Sequence, residues 1–215
     1  LNPDKAKEAR KEELDWIKRQ KVYKKVDIEE CLKNTGKQPI SLVWVDTNKG
    51  DNKNPIYRSR LCVREIKKLN KGVNALTPAE VFSAMPPLEG VKLLSSLMVT
   101  KKTSKHNKTL KLAFWDISRA HFYGKAQRKV YIKLPGEDAE EGKCGLLERS
   151  MYGTQDASHI WQGDYGELML SAGYRQGISN GAVFHHREQD SQSLVHGDDF
   201  MLLGCLLYTS DAADE

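Results

Sequence analysis

Cysteine is scarce in this 215-residue chain, and its four copies, Cys31, Cys62, Cys144 and Cys205, lie far apart with no Cys-x-x-Cys pair among them. Neither a disulfide framework nor a zinc site is indicated, and a reducing compartment is expected. No leading signal-peptide pattern and no apolar run long enough to cross a bilayer are present, so the sequence reads as a soluble, non-secreted protein without a membrane partner. Ordinary counts of glycine (16) and proline (7), with aromatics at 8%, exclude collagen-like, mucin-like and disordered chains. There is no internal repeat and no low-complexity segment. An apolar fraction of 39% is ample for one core and thin for two.

The formal net charge of +5 conceals a division along the chain. Residues 1–135 carry 30 basic and 14 acidic side chains, whereas residues 136–215 carry 4 and 15. The division suggests a basic surface for a polyanion beside an acidic site for cations, with plain solvated faces as the alternative. Both ends read as cut: the chain starts at Leu1 rather than Met, and 205–215 has the form of an in-frame translation of a sequencing-library adapter. That tail is set aside from the functional reading.

Asp4 to Tyr23 carries Leu14, Ile17 and Val22 in a charged field, which predicts a helix with a narrow apolar stripe. Ile40–Val45 and Ile56–Val63 are rich in strand formers around a polar turn, which predicts a hairpin. Its second strand puts Arg58 and Arg60, with Arg64 beyond them, on one face and Tyr57, Leu61 and Val63 on the other. Thr77-Pro-Ala-Glu80 has the form of a helix start, and Leu88 to Val99 restarts a helix with Leu88, Val91, Leu94 and Met98 expected on its buried side. Leu112–Ile117 is almost wholly apolar and reads as an interior strand, while Lys129–Pro135 alternates as a half-buried one. Asp156 to Ala172 is helical by pattern, with Ile160, Trp161, Leu168 and Met169 apolar and Gly173 as the stop. Strands at 182–186 and 193–196 lead through a Gly197-Asp198 turn into 199–203. Trp115, Trp161 and Phe184 are expected in the core, Trp44 under the hairpin, and His185 and His186 at the surface.

The chemically loaded residues are Asp116, in an apolar strand, and Asp198 with Asp199 at a hairpin tip. A carboxylate in such a strand is costly unless paired, hydrogen-bonded or metal-bound, and three together repel. Mg²⁺ resolves the conflict, because it takes one or two carboxylates and completes its shell with water and phosphates. Two such ions about 3.5–4 Å apart serve an in-line nucleotidyl transfer. A Gly-Asp-Asp tripeptide alone is a weak signal, and it strengthens when it caps an apolar hairpin downstream of a strand aspartate.

Several ordered blocks make the resemblance specific. Phe114-Trp-Asp116-Ile-Ser-Arg-Ala-His-Phe-Tyr-Gly124, Val130–Pro135, Ser150-Met-Tyr-Gly153 with Ala157 and Trp161, and Leu194-Val-His-Gly-Asp-Asp199 are similar to successive motifs of copia-type LTR retrotransposon reverse transcriptase domains. Trp44-Val45 and Arg58–Leu61 resemble that family's fingers hairpin. The resemblance implies an α+β right-hand polymerase: a leading helix at 5–22, fingers at 24–113, and a palm at 114–204 whose antiparallel sheet is backed by helices, with the thumb missing. It implies RNA-directed DNA polymerase activity with two Mg²⁺ ions, Mn²⁺ being an alternative. A template of RNA or DNA with a primer, and deoxynucleoside triphosphates, are the implied partners. Integrase and ribonuclease H regions would accompany it in the full polyprotein, in a cytoplasmic virus-like particle or the nucleus.

By the same resemblance Asp116, Asp198 and Asp199 are the catalytic carboxylates, and they hold metal together with the carbonyl of Ile117. Arg60 and, more weakly, Arg58 would contact the triphosphate. Tyr152 and Gly153 would shape the floor beneath the nascent base pair, and Gln155 would lie near the nucleotide. The chain departs from the pattern at His121, where an aromatic that excludes a ribose 2′-hydroxyl is expected and Phe122 is next to it. It departs again at Asp156, which stands for a nucleotide-binding Gln, at Ser158 for Pro, and at His196 for Tyr. Two other readings stay open: a catalytically dead nucleic-acid-binding remnant, and a Mg²⁺ phosphohydrolase using the same carboxylates.

Overall fold

The computed structural model describes residues 1–51, 53–65 and 76–205. All but Cys205 of the expected adapter-derived tail at 205–215, and the stretch 66–75 within the expected fingers, lie outside the described residues. In chain order the elements begin with α1 (Pro3–Arg19), β1 (Tyr23–Asp27), α2 (Ile28–Thr35), β2 (Leu42–Asn48) and β3 (Tyr57–Val63). Next come α3 (Pro78–Val81), α4 (Leu88–Lys101), β4 (Lys111–Asp116), β5 (Tyr131–Ile132) and β6 (Lys143–Leu147). The series closes with α5 (Ala157–Ser171), β7 (Arg175–Gln176), β8 (Val183–His186), β9 (Ser191–His196) and β10 (Asp199–Gly204). The architecture is mixed α and β with antiparallel sheets.

These elements fall into two compact units, 1–82 with 121–161 and 83–120 with 162–215, where composition alone favoured one core. In the first, Asn2 caps α1 by accepting the N–H groups of Asp4 and Lys5 (3.0 and 3.2 Å), and Pro3 opens the helix at a position that needs no donor. Leu14 and Ile17 form its buried stripe and pack with Val22, Leu61, Val63 and Ile132. The β2–β3 hairpin pairs Trp44 with Leu61 and Val45 with Arg60. Ser59, Leu61 and Val63 are buried while Arg58 and Arg60 alternate with them, as the period of two requires. Trp44 packs against this core with the Arg10 guanidinium 5.4 Å above its ring. A second sheet in the order β1-β6-β5 completes the unit.

The second unit is a five-stranded antiparallel sheet in the order β4-β10-β9-β8-β7. On one face Leu94 of α4 packs with Leu194, Met201 and Leu203. On the other, Tyr165 of α5 meets Phe184 and Phe200 edge-on at 6.0 and 5.7 Å. Gly173, at φ +88°, ends the helix as expected, and the Thr77–Glu80 capping box is present in full.

Several expectations are corrected. The strand at Leu112–Ile117 is an edge of the sheet, with Phe114 69% and Trp115 43% exposed, so Trp115 is not a core residue. An apolar run signals two apolar faces but says nothing about how many neighbours the backbone has. Leu88 and Val91 of α4 and Leu168 of α5 are exposed, because each helix offers only a narrow stripe to the sheet. His186 is buried against Tyr174, while its neighbour His185 is exposed as expected. The strand at Lys129–Pro135 is only two residues long.

Gly153 is a position where both the backbone angle and its surroundings demand glycine. Its φ is +85°, and an added Cβ would lie 2.1 Å from the carbonyl oxygen of Val63. Gly142 has a similar φ of +72° but open space around it. Gly153→Ala is expected to cost about 2–5 kcal/mol of unfolding free energy, against about 1 kcal/mol for Gly142→Ala, read from urea melts of the two variants.

Candidate active site

Asp116 is the last residue of β4 and Asp199 the first of β10, and the antiparallel register sets them directly opposite one another. The same register pairs Phe114 with Met201 and Leu112 with Leu203, so the carboxylates continue a line of apolar pairs to the sheet's end. Gly197, at φ +64°, and Asp198 turn β9 into β10. The N–H of Ile117 donates to the carbonyl of Asp198 at 2.9 Å, which draws the end of β4 against this turn. Asp116 and Asp199 are exposed and Asp198 is half-buried.

Directly opposed residues of an antiparallel pair have Cβ atoms about 4.5–5.5 Å apart, and like charges there are destabilising. Oxygen-only donors on rigid strand ends suit a hard cation such as Mg²⁺, which needs one or two carboxylates and leaves room for phosphate. Among the described residues no group of three or more His, Cys, Asp or Glu side chains is arranged to hold a metal ion. Asp116 and Asp199 are thus brought together, while Asp198 sits one residue earlier, in the turn and out of their register.

The first unit gathers the remaining sequence-derived residues. The Arg60 guanidinium lies 4.9 Å above the Tyr152 ring, whose neighbours are His121 and Phe122, both edge-on at 5.0 and 5.1 Å. Phe122 is fully buried and also meets Trp16, so it backs the cluster from the core; His121 is half-buried. The backbone of Tyr152 accepts the N–H of Val63 at 2.7 Å, which seats Gly153 on the end of β3. Arg58 is two residues before Arg60 on the same face of β3. Among the described residues the buried Nε of Arg60 and the buried Nε2 of Gln155 find no hydrogen-bond partner. Buried polar atoms are nearly always satisfied, so both mark places where an acceptor is missing.

Asp156 does not face that cluster as a free acid. Arg128 donates to its two oxygens from Nε (2.8 Å) and NH2 (3.0 Å), and to Glu65 from NH1 (2.8 Å) and NH2 (2.6 Å). Burial opposes charge on Asp156, but the Arg128 hydrogen bonds outweigh it and hold the carboxyl below its ordinary value. Burial likewise opposes charge on Arg128, and its two carboxylate partners hold it above its ordinary value. Sequence reasoning missed Arg128 and Glu65. No spacing rule links 65, 128 and 156, and only the folded chain brings them together.

The family described as "Reverse transcriptase (RNA-dependent DNA polymerase)" matches residues 20–206. The chain belongs to that family and is a copia-type reverse transcriptase domain. A curated relative, the "Retrovirus-related Pol polyprotein from transposon TNT 1-94" of Nicotiana tabacum, is 24% identical over 204 residues. The match covers 91% of this chain and 14% of the relative, so the chain spans a small part of that protein's length.

The opposed carboxylates predict that Asp199→Asn raises the melting temperature in EDTA by about 1–3 °C. Added Mg²⁺ is expected to raise the melting temperature of the unaltered chain more than that of the variant; differential scanning fluorimetry reads both. A second expectation follows from Asp156. Because its folded-state pKa lies below the unfolded value, its contribution to stability is complete above the ordinary carboxylate range. It is lost as pH falls through the depressed value. In urea titrations below about pH 4, Asp156→Asn is expected to lose stability less steeply than the unaltered chain.

Proposed function

We propose that this domain carries out template-directed DNA synthesis by two-metal nucleotidyl transfer. The observation that carries the reading is the direct pairing of Asp116 with Asp199 below the Asp198 turn, in a chain of the reverse transcriptase family. On this reading the five-stranded sheet with α5 belongs to the palm and the β2–β3 hairpin to the fingers, while α4, within the 24–113 segment assigned to the fingers, packs on the sheet.

Asp116, Asp198 and Asp199, with the carbonyl of Ile117, would hold Mg²⁺ or Mn²⁺. When bound, the ions would supply the positive charge that lowers the pKa of a primer 3′-hydroxyl and stabilises a pyrophosphate leaving group. The protein's own contribution is positional. The β4–β10 register holds two carboxylates at fixed separation, so their repulsion is present before any ligand arrives and is relieved by the cation. Arg60, with Arg58 beside it, offers guanidinium groups to a triphosphate, and the unpaired Nε of Arg60 is the donor such an oxygen would satisfy. Gln155 offers its amide in the same way, while Tyr152 holds Arg60 by stacking and His121 borders Tyr152 on the side assigned to the sugar. Both oxygens of Asp156 are turned onto Arg128 rather than presented as a free carboxylate, which lessens its repulsion of the phosphates.

The partners under this reading are an RNA or DNA template with its primer and deoxynucleoside triphosphates. Ribonuclease H and integrase segments would belong to the same polyprotein. A cytoplasmic virus-like particle or the nucleus is the compartment this reading proposes. Primer extension decides the matter. The chain is expected to add a complementary nucleotide to an annealed primer in Mg²⁺ or Mn²⁺, and Asp198→Asn to reduce the rate at least about 10²–10³-fold while salt-sensitive nucleic-acid binding persists. Binding without extension, or extension that survives the substitution, would favour a non-catalytic binding remnant. Primer-independent triphosphate hydrolysis would favour a phosphohydrolase.

A further inference from the structure

A buried charged cluster stands beside the nucleotide-site residues, and of its members only the Arg128–Asp156 pair has been given a role above. Glu65 is 1% exposed at its side chain and Asp156 10%, and Arg128 bridges them with four hydrogen bonds of 2.6–3.0 Å. The same Oε2 of Glu65 that Arg128 grips also accepts the backbone N–H of Gln155 at 2.8 Å. Gln155 is therefore clamped from both sides. Its own N–H is held by one carboxylate, and the side chain of the next residue is held by the guanidinium that binds that carboxylate. Upstream, Gly153 is wedged on Val63, so the turn from Tyr152 to Asp156 is tied at three points to the end of β3 and to Arg128.

This clamp leaves the Gln155 Nε2 buried without an acceptor among the described residues. An unsatisfied buried donor is unfavourable, and such an arrangement persists only where the surroundings over-determine it. A buried ion cluster is itself a poor source of stability, since apolar groups of similar volume often replace one at no loss. Both facts are accounted for together if the cluster serves orientation. We propose that Arg128 is a positioning residue of the nucleotide site, which through Glu65 and Asp156 aims the Gln155 amide at the incoming nucleotide. The proposal rests on the polymerase reading above, and it assigns the clamp to the nucleoside part of the ligand. Arg60 sits on β3, paired to β2, and stacks on Tyr152, whose carbonyl is held by the Val63 N–H rather than by Arg128.

Equilibrium binding of Mg²⁺–dTTP and of Mg²⁺–tripolyphosphate to the 215-residue chain separates the contributions. Gln155→Ala and Arg128→Met are each expected to weaken dTTP binding about tenfold, the equivalent of one lost hydrogen bond. Combined, they are expected to do no worse than either alone, while tripolyphosphate binding stays within about twofold. A merely structural role predicts instead additive losses that fall on both ligands. Should Arg128→Met fail to fold, the charge-free triple variant Glu65→Leu/Arg128→Met/Asp156→Leu carries the same test. Arg128→Lys, which keeps the charge but cannot grip two carboxylates as a fork, is expected to recover little of the dTTP affinity. Additive losses, or unchanged dTTP affinity in folded Arg128 variants, overturn the positioning role alone. If the unaltered chain binds neither ligand, and Asp198→Asn changes nothing, the nucleotide reading falls and this proposal with it.

Discussion

The register of β10 between β4 and β9 is the constraint on which the second unit depends. Met201 lies opposite Leu194 on one side and Phe114 on the other, and Leu203 lies opposite Leu112. Side chains alternate along a strand, so the face that buries Met201 and Leu203 against α4 is the face that carries Asp199. A slip of one residue would turn Leu203 outward and part Asp199 from Asp116. Apolar packing with Leu94 and Leu194 therefore fixes the alignment of two acids that would otherwise avoid one another. Core formation and placement of the charged pair are one event.

The first unit solves a different problem by a related route. Its residues of interest come from three separated stretches, β3, the segment at 121–128 and the turn at 151–156. They are joined by short contacts to a single strand end. Val63 donates to Tyr152, its carbonyl crowds Gly153, and Glu65 two residues on accepts from Gln155. Arg60 leaves the same strand and stacks on Tyr152. Burial of Glu65 and Asp156 is tolerable because Arg128 satisfies both, and the desolvation that opposes their charge is met by hydrogen bonds of good geometry.

Much of this was legible in the sequence, where local rules decide. The capping box at Thr77, the Gly173 helix stop and the Gly197-Asp198 hairpin follow from φ preferences and side-chain reach alone. The alternation of arginines on β3 follows from the period of two, and the three aspartates were visible as acids in apolar surroundings. What was not legible depends on pairing partners. β4 has an interior composition and an edge position, since strand order is set by contacts distant in sequence. β1 and α2 carry weak patterns and are held by β6 and the Cys31–Tyr131–Cys144 cluster. Asp156 looked like a misplaced charge until Arg128, 28 residues away, was found against it.

The edge position of β4 bears on how the domain behaves in solution. Among the described residues its outer side has no paired strand, and Phe114 and Trp115 are exposed there. An uncovered, aromatic sheet edge is a template onto which a further strand can add, from the same chain or a neighbouring molecule. Lys111 and Asp116 close the strand at its two ends with opposite charges, and only four apolar residues separate them. That brevity limits how far intermolecular pairing can propagate. The acid that terminates the strand thus also guards its edge, and its removal would leave one end of the apolar run without a charge.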